Sequence, residues 1–273
     1  MNIDQHTALY GVIGSPLRHS LSPIIQNAAF QERGVNAVFL AFETKDLEGA
    51  IQGVRALEIK GLSVTLPFKE AIVPYLDELD MLAGEIGAAN TVTNRDGMLI
   101  GYNTDAIGAI RALEGVVKLT GANALILGAG GAARAIGHGL VRVGCAVTIS
   151  NRSKERGESL ARDLGATFIP PEGLYKYQTD ILINTTPLGM YPEVHSIPIS
   201  TDMVNAHVVM DAVYNPHETR LLKEFKRLGA TVVSGLEMFL QQGAEQFRLW
   251  TGLNPPLRTM RQAALRALEG FES

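Results

Sequence analysis

The segment ALILGAGGAARAIGHGLVRVGCAVTISNRSKER, residues Ala124–Arg156, decides the fold of this chain. An apolar run at Ala124–Leu127 meets a glycine-rich turn at Gly128–Gly131, and an Ala-rich helical pattern then extends to about Val143. A second apolar run, Ala146–Ser150, follows. Strand, glycine-rich turn, helix and strand in this order predict the βαβ unit that binds a dinucleotide.

The glycine-rich turn has the composition needed to hold a pyrophosphate. Gly128 and Gly130 reach backbone angles that other residues avoid, and they have no side chain to keep a phosphate away. The N–H groups at the start of the following helix, together with the helix dipole, favour an anion there. Ala133 takes the third position of the fingerprint, where a small residue allows helix and strand to pack closely.

The end of the second strand indicates which dinucleotide binds. An NAD site usually has an acidic residue there, which accepts hydrogen bonds from the ribose hydroxyls. This chain has Asn151 and Arg152, followed by Ser153 and Arg156, so two guanidiniums are available for a 2′-phosphate. We predict NADP as the cofactor; the alternative is an ordinary solvated helix start with Ser153 as its N-cap.

Length and composition limit the remaining possibilities. A chain of 273 residues is near the upper size of one core, so two domains are expected. Hydrophobic residues make up 46% and charged residues 19%, as in soluble globular proteins, and a net charge of −4 gives no support to nucleic-acid binding. We see neither a signal peptide nor an apolar run that could span a membrane, and predict a cytoplasmic protein. The single Cys145 and the scattered histidines lack ligand spacing, so no metal is predicted.

Periodicity predicts an α/β fold with a Rossmann-like dinucleotide-binding domain and a discontinuous α/β substrate-binding domain. Strands and helices alternate in the first third, and the dinucleotide unit lies mid-chain, so the two C-terminal helices are expected to return to the first domain. We predict a substrate-binding catalytic domain from residues 1–104 and 237–273, and an NADP-binding domain from residues 105–236. The predicted elements include a helix over 67–79, kinked or split at Pro74.

Polar residues at strand ends are the candidates for catalysis. Ser20 and Ser22 follow the first strand, near a helix N-terminus where two hydroxyls can bind a carboxylate; alternatively, Ser22 caps this helix and Ser20 is solvated. Lys69 lies in the first turn of a predicted helix, where the dipole disfavours a cation; it has a functional role, or it is a surface lysine beside Glu70. Asp105 is either the N-terminal acid of its helix or the partner of Lys69 in orienting and proton-coupling a substrate hydroxyl.

Short motifs in a fixed order make the chain resemble the shikimate dehydrogenase family. They extend over nearly its whole length, and their order makes them specific: GSPLRHSLSP, SVTLPFK, GAANT, NTD, GAGGAARA, NRS, NTTPLGM, DAVYNP and GLEMFLQQGAEQF. The resemblance implies reversible, NADPH-dependent reduction of 3-dehydroshikimate to shikimate, on the route to chorismate and aromatic amino acids. Ser63 departs from it, since many members have Asn there, and Glu237 stands where many have Gly.

The resemblance also implies a role for each residue that matches a motif. Lys69 is the implied acid–base residue, coupled to Asp105. Ser20 and Ser22, with Tyr214 nearby, are implied to hold the substrate carboxylate. The implied ligands of the ring hydroxyls are Thr65, Asn90, Asp105 and Gln242. The implied contacts to the pyrophosphate are Gly128, Ala129, Gly130, Gly131 and Ala132, and those to the 2′-phosphate are Asn151, Arg152, Ser153 and Arg156. Thr186, Ala212 and Gly235 are also implied to contact the cofactor. Ala212 and Gly235 would line the nicotinamide side through their backbones.

Three alternatives are left open by the residues. A quinate/shikimate dehydrogenase using NAD would be expected to have an acid where Asn151 stands. A methylene-tetrahydrofolate dehydrogenase of similar build would leave the paired serines and the NTD motif without a use. A non-catalytic NADP-binding sensor would not need both Lys69 and Asp105.

The predicted partner is a small-molecule substrate, and neither nucleic acid nor a membrane is predicted as a partner. A homodimer is the hypothesis for the oligomeric state.

Overall fold

The computed structural model describes residues 3–18 and 20–271, apart from the side chains of residues 270 and 271; His19 of the GSPLRHSLSP motif lies outside the described residues. The strands, in chain order, are β1 (Ala8–Gly14), β2 (Ala37–Glu43), β3 (Gly61–Val64), β4 (Glu78–Leu79), β5 (Thr91–Arg95), β6 (Met98–Tyr102), β7 (Asn123–Leu127), β8 (Ala146–Ser150), β9 (Thr167–Phe168), β10 (Tyr177–Asn184), β11 (Val204–Asp211) and β12 (Thr231–Val233). The α-helices are α1 (Ser22–Glu32), α2 (Leu47–Ala56), α3 (Phe68–Ala71), α4 (Met81–Ile86), α5 (Thr104–Glu114), α6 (Gly131–Arg142), α7 (Lys154–Leu164), α8 (Arg220–Arg227), α9 (Gly235–Thr251) and α10 (Leu257–Phe271).

The chain divides into two units. Met1–Thr104 together with Gln242–Ser273 forms unit 1, and Asp105–Gln241 forms unit 2. The second boundary falls five residues after the expected 236/237, because Met238 belongs to the hydrophobic core of unit 2. Which ligand each unit binds stays a prediction.

The sheet of unit 1 gathers several strand ends at one edge. Its order is β2-β1-β3-β5-β6-β4, with β1 parallel to β3 and β5 antiparallel to both β3 and β6. The register aligns Ser63 of β3 with Thr91 of β5, and Thr91 with Tyr102 of β6. The carboxyl ends of β1, β3 and β6 and the amino end of β5 therefore lie at the same edge, here called the unit 1 edge.

Helix α9 lies on this sheet through one of its faces. Gln242, Gln246 and Trp250 are four residues apart in sequence and so share a side of the helix. Trp250 Nε1 donates a hydrogen bond to the carbonyl of Val92 at 3.0 Å. Its indole occupies the space that a Cβ at residue 61 would need, so Gly61 allows the helix to approach the sheet. The C-terminal α10 packs against α1 in the same unit.

The sheet of unit 2 is parallel throughout. Its order is β12-β11-β10-β7-β8-β9, with hydrophobic clusters on both faces. The chain proceeds from β7 outwards to β9 and then crosses back to β10 on the other side of β7. A topological switch point therefore lies between β7 and β10, where Rossmann-like sheets bind their ligands. This order confirms the predicted α/β class and the Rossmann-like domain.

The predicted helix over 67–79 is wrong. The chain instead makes the single turn of α3, a 3₁₀ turn at Val73–Tyr75 and then β4. Pro74 has no N–H to donate, and its ring would clash with the carbonyl of residue 70 in a continuous helix. The segment is therefore split near the proline, as one of the two predicted alternatives had it, and is not a kinked helix.

Helix α4 is absent from the sequence-based prediction, although its end signals are readable. Asp80 is the N-cap, and its Oδ1 accepts a hydrogen bond from the N–H of Ala83 at 2.9 Å. Gly87 ends the helix in the left-handed conformation, with φ of 71°. A short helix of six residues is specified by these caps more than by its apolar periodicity.

Candidate functional site

The loop after β1 carries the paired serines and packs against the loop after β3. Ser15 N donates to the carbonyl of Leu66 at 2.9 Å. Ser22 lies at the first position of α1; Leu21 is the N-cap and no side chain caps the helix. The alternative in which Ser22 caps α1 is therefore wrong. Within the described residues, the only hydrogen bond seen between the serines joins the N–H of Ser22 to Ser20 Oγ, at 3.4 Å.

Lys69 lies on the one-turn helix after β3. Phe68 is buried in the core of unit 1 and anchors this turn. The carbonyl of Lys69 accepts a hydrogen bond from the N–H of Ala89 at 2.8 Å, which ties the SVTLPFK segment to the GAANT segment. Since α3 has four residues, its dipole is small, and the argument that a helix dipole disfavours a cation at Lys69 loses its basis.

The ring-hydroxyl candidates Asn90 and Gln242 meet at the unit 1 edge. Asn90 Oδ1 accepts a hydrogen bond from the N–H of Thr104 at 2.7 Å, and Asn90 Nδ2 lies 3.5 Å from Gln242 Oε1. Thr65 N donates to the carbonyl of Ile13 at 3.0 Å, which places this candidate at the same edge. Thr65, Lys69, Asn90 and Gln242 therefore belong to one region of unit 1. Asp105 and Tyr214 lie in unit 2, and their predicted roles beside these residues stay predictions.

The glycine-rich turn of unit 2 lies at the switch point between β7 and β10. Gly128 has φ of 113°, and a Cβ there would stand 2.5 Å from Thr185 Oγ1, in the loop after β10. At Gly130 and Gly131 an added Cβ would meet no protein atom within 4 Å. Gly130 is the N-cap of α6 and offers no side-chain cap, so the turn leaves room for an anion at the start of a 12-residue helix.

Two glycine substitutions separate folding from ligand binding at this turn. We expect Gly128→Ala to destabilise unit 2 by about 1–3 kcal/mol from backbone strain alone, with a further cost from the contact with Thr185. Gly130→Ala has an ordinary φ of −94° and open space, so stability should be kept while dinucleotide affinity falls about 10-fold or more. Thermal unfolding and dinucleotide titration measure the two effects. Equal loss of stability in both variants would contradict this account of the turn.

The residues after β8 leave two guanidiniums exposed. Asn151 Nδ2 donates to the carbonyl of Ser153 at 2.8 Å, and Ser153 is the N-cap of α7, with its Oγ 3.5 Å from the N–H of Arg156. Arg152 and Arg156 are exposed, and within the described residues neither forms an ion pair with a carboxylate. Ser153 therefore caps α7, as the alternative interpretation predicted. This cap leaves the guanidiniums of Arg152 and Arg156 available for an anion.

A buried carboxylate links the loops after β10 and β11. Asp211 Oδ1 accepts hydrogen bonds from Asn184 Nδ2 at 2.9 Å and from the N–H of Val213 at 3.0 Å, and Asp211 Oδ2 accepts one from Thr219 Oγ1 at 2.6 Å. Burial raises the pKa of Asp211 to about 6, against the lowering effect of these donors. Thr186 joins the network because its N–H and hydroxyl donate to Asn184 Oδ1 at 2.9 and 2.7 Å.

The nicotinamide-side candidates Ala212 and Gly235 lie next to each other in unit 2. A Cβ at residue 235 would stand 2.5–2.6 Å from the carbonyls of Val213 and Ala212, so glycine is needed at the start of α9. Tyr214 packs against Phe239, with ring centroids 5.2 Å apart. Burial raises the pKa of the Tyr214 phenol, which keeps its O–H as a donor.

Among the residues that the structure describes, no group of three or more His, Cys, Asp or Glu side chains has the arrangement of a metal site. In the same part of the chain, no helix combines the length and apolarity that crossing a membrane requires.

Three family models match the chain along its length. The shikimate dehydrogenase substrate binding domain matches residues 12–92, the shikimate/quinate 5-dehydrogenase model residues 111–187, and the shikimate 5′-dehydrogenase C-terminal domain residues 235–265. A curated relative from Pyrococcus furiosus, named shikimate dehydrogenase (NADP(+)), is 46% identical over 266 residues, with 96% of this chain and 97% of the relative covered. The chain belongs to the shikimate dehydrogenase family.

Other members of the family are similar to this chain over the length of both units. The shikimate dehydrogenase (NADP(+)) of Moorella thermoacetica is 42% identical over 283 residues, with 98% of this chain and 96% of the relative covered. The crystal structure of the Thermus thermophilus shikimate 5-dehydrogenase in complex with NADP(H) and shikimate is 38% identical, with a TM-score of 0.90 and 96% and 100% of the two chains covered. The similarity to this family therefore extends over both units and over the segments that contain the candidate residues.

Several polar residues of these networks are absent from the sequence-based site. Thr91 and Gln246 contact Asn90, Asp211 contacts Asn184, and Thr219 contacts Asp211. Gln246 has a signal, because it lies one helical turn after Gln242 and shares its face. Asp211 also has a signal, because it is an acidic residue at the end of an apolar strand. If that strand is buried, the carboxylate must accept hydrogen bonds from neighbouring donors.

Proposed function

We propose that this protein is an NADP-dependent shikimate dehydrogenase, which reduces 3-dehydroshikimate to shikimate reversibly. The observation that supports it most is the gathering of Thr65, Lys69, Asn90 and Gln242 at one edge of unit 1, in a chain that retains the family motifs over its length. Its product belongs to the route to chorismate and the aromatic amino acids.

The residues of unit 1 supply binding and proton transfer in this proposal. Lys69 is the acid–base group: its ammonium stabilises the charge that develops on the ketone oxygen and donates the proton, and its neutral amine takes the hydroxyl proton in the reverse direction. Thr65, Asn90 and Gln242 hydrogen-bond the ring hydroxyls. Fixing the ring in one orientation supplies much of the remaining acceleration. For Asp105, the family resemblance implies a hydrogen bond to a hydroxyl of the same ring and coupling to Lys69.

The residues of unit 2 fit the cofactor. The empty space at Gly130 and Gly131, at the start of α6, suits a pyrophosphate, with Gly128, Ala129 and Ala132 completing the turn. When bound, NADPH supplies the hydride that the ketone carbon accepts. Thr186, Ala212 and Gly235 are proposed to contact it, the last two lining its nicotinamide side through their backbones. The Asp211 network fixes the loops that carry Thr186 and Ala212.

NADP is favoured over NAD by the chemistry after β8. Asn151, Arg152, Ser153 and Arg156 present no carboxylate that would repel a 2′-phosphate, and the two guanidiniums are exposed. Initial rates with shikimate or quinate, each paired with NADP⁺ or NAD⁺, test the proposal. The highest kcat/KM is expected for shikimate with NADP⁺. A preference for quinate with NAD⁺, or binding of NADP⁺ without turnover, would favour one of the alternatives.

Arg152→Ala is expected to raise the KM for NADPH by about 10- to 100-fold, with little change for NADH, because the lost charge-assisted hydrogen bonds are made only to the 2′-phosphate. Steady-state rates with each cofactor measure the two effects. Arg162→Ala is the matched control, since Arg162 is exposed in the last turn of α7 and has no proposed role. If Arg152→Ala affected both cofactors equally, the 2′-phosphate site would be elsewhere.

Ser20→Ala combined with Ser22→Ala should weaken the binding of shikimate more than that of an analogue without the carboxylate, because two hydroxyl donors to that group are lost. The KM for NADPH should not change. Inhibition constants of the analogue, set beside the KM for shikimate, measure the difference. If the binding of shikimate and of the analogue were weakened equally, the serines would have a structural role and would not bind the carboxylate.

The proposed compartment is the cytosol. A homodimer is the hypothesis for the assembly, and sedimentation of the purified protein tests it.

A further inference from the structure

A buried cluster of polar side chains surrounds Asn90 at the unit 1 edge. Ser63, Asn90, Thr91, Thr104 and Gln246 are each 5% exposed or less. Among them, the family resemblance implies a role for Asn90, and Ser63 stands where many members have Asn. The others contact Asn90 directly or through one intermediate, so their hydrogen bonds determine what Asn90 offers to a ligand.

Backbone groups fix the direction of the hydrogen bonds around Asn90. The N–H of Thr104 can only donate, so the atom that it meets at 2.7 Å is the acceptor Asn90 Oδ1. The hydroxyl of Thr91 also donates to Asn90 Oδ1, at 2.9 Å, and the hydroxyl of Thr104 lies 3.1 Å from both Asn90 Oδ1 and Thr91 Oγ1. Asn90 Oδ1 is therefore fully engaged. Asn90 Nδ2 has two N–H bonds; one faces Gln242 Oε1 at 3.5 Å, and the other is left to serve a ligand.

Gln246 holds Thr91 in this donating arrangement. Its Nε2 donates to Thr91 Oγ1 at 3.0 Å and lies 3.4 Å from the carbonyl of Asn90, which can only accept. Its Oε1 accepts the hydroxyl proton of Ser63 at 2.8 Å. The bonds thus proceed in one direction, from Ser63 to Gln246, to Thr91 and to Asn90.

We propose that Gln246 and Thr91 are positioning residues, which commit Asn90 to donating a hydrogen bond to a ring hydroxyl of the substrate. The inference rests on the proposed function, because Asn90 has this task only if shikimate binds at the unit 1 edge. Ser63 serves the same purpose: its hydroxyl is engaged with Gln246, so it is a support of the site and not a substrate ligand.

Thr91→Val tests the proposal with little change of shape. It removes the Thr91 hydroxyl from the donors to Asn90 Oδ1 and leaves only those of Thr104. The KM for shikimate should rise about 3- to 10-fold while the KM for NADP⁺ is unchanged. Thr91→Ser keeps the hydroxyl and should restore the wild-type KM. Gln246→Glu places a carboxylate against Thr91 and the carbonyl of Asn90, and should raise the KM for shikimate about 10-fold or more.

Thr93→Val is the matched control. Thr93 lies two residues along the same strand, on the same face and buried, and among the described residues its hydroxyl has no hydrogen-bond partner. Its removal should leave both KM values unchanged. If the wild type oxidises shikimate but Thr91→Val behaves as Thr93→Val does, the positioning role is overturned and the proposed function stands. It is also overturned if Thr91→Ser is as impaired as Thr91→Val. A wild type without activity on shikimate overturns the proposed function and this role with it.

Discussion

Replacing Lys69 with Ala is expected to lower kcat by at least ~10²-fold, with the KM for shikimate little changed. The lost group is the one that gives a proton to the ketone oxygen and stabilises its developing charge. The fold should tolerate the change, because the contact of residue 69 with Ala89 is made by its backbone carbonyl. Steady-state kinetics with shikimate and NADP⁺ measure it.

Two further lysine variants sharpen this test. Lys69→Arg keeps a positive charge but does not release a proton at neutral pH, so it should be nearly as slow as Lys69→Ala if proton transfer is the role. Lys60→Ala is the control, since Lys60 is a surface residue paired with Glu58 at 3.5 Å. A Lys69→Ala variant with a kcat close to that of the wild type would remove this lysine from the mechanism.

Asp211→Ala is expected to lower the free energy of unfolding of unit 2 by at least about 3 kcal/mol. The substitution leaves the N–H of Val213, the amide of Asn184 and the hydroxyl of Thr219 without their acceptor, and each buried, unsatisfied group costs about 1–3 kcal/mol. Asp211→Asn should be much milder, because it keeps the volume and one carbonyl oxygen, and the hydroxyl of Thr219 can turn to accept. Similar losses for both variants would contradict the network.

The difference in free energy of unfolding between the wild type and Asp211→Asn should change with pH in one direction. Because burial raises the pKa of Asp211 to about 6 from 3.8, the folded state binds the proton more tightly than the unfolded state. This contribution to stability is complete below pH 3.8 and is lost as the pH rises through 6. Between pH 5 and 7.5 the wild type should therefore lose about 1.4 kcal/mol relative to Asp211→Asn.

The probe for that measurement must report on unit 2. The single tryptophan, Trp250, belongs to unit 1, so its fluorescence follows the other unit. Urea unfolding followed by circular dichroism, at pH 5 and 7.5, includes the helices and strands of unit 2. A free-energy difference between the variants that does not change with pH, or changes with the opposite sign, would contradict the raised pKa.

The sequence is sufficient for the features that depend on local chemistry. The strands around Ala124–Leu127 and Ala146–Ser150 follow from apolar runs, and Gly128 follows from a turn that needs φ of 113°. The helix over 67–79 is mispredicted for a local reason as well, since its periodicity passes through Pro74, which cannot continue a helix. Rules for backbone geometry therefore account for both the success and the error.

The hydrogen-bond partners of the residues that support the site depend on tertiary pairing and could not be read from the sequence. Gln246 meets Thr91 across 155 residues, and Asp211 meets Asn184 across 27. Before the sheet and α9 are in place, nothing local indicates that these side chains share hydrogen bonds. The motifs indicate which residues face a substrate, and the structure adds what holds them.

The reduction of 3-dehydroshikimate with NADPH that carries deuterium at both C4 positions of the nicotinamide tests the central claim most directly. We expect shikimate with one deuterium, located at C3, where the ketone carbon has accepted the hydride. Mass spectrometry and proton NMR of the product establish its mass and the position of the label. An unlabelled product, a label at another carbon, or the absence of product would contradict the account.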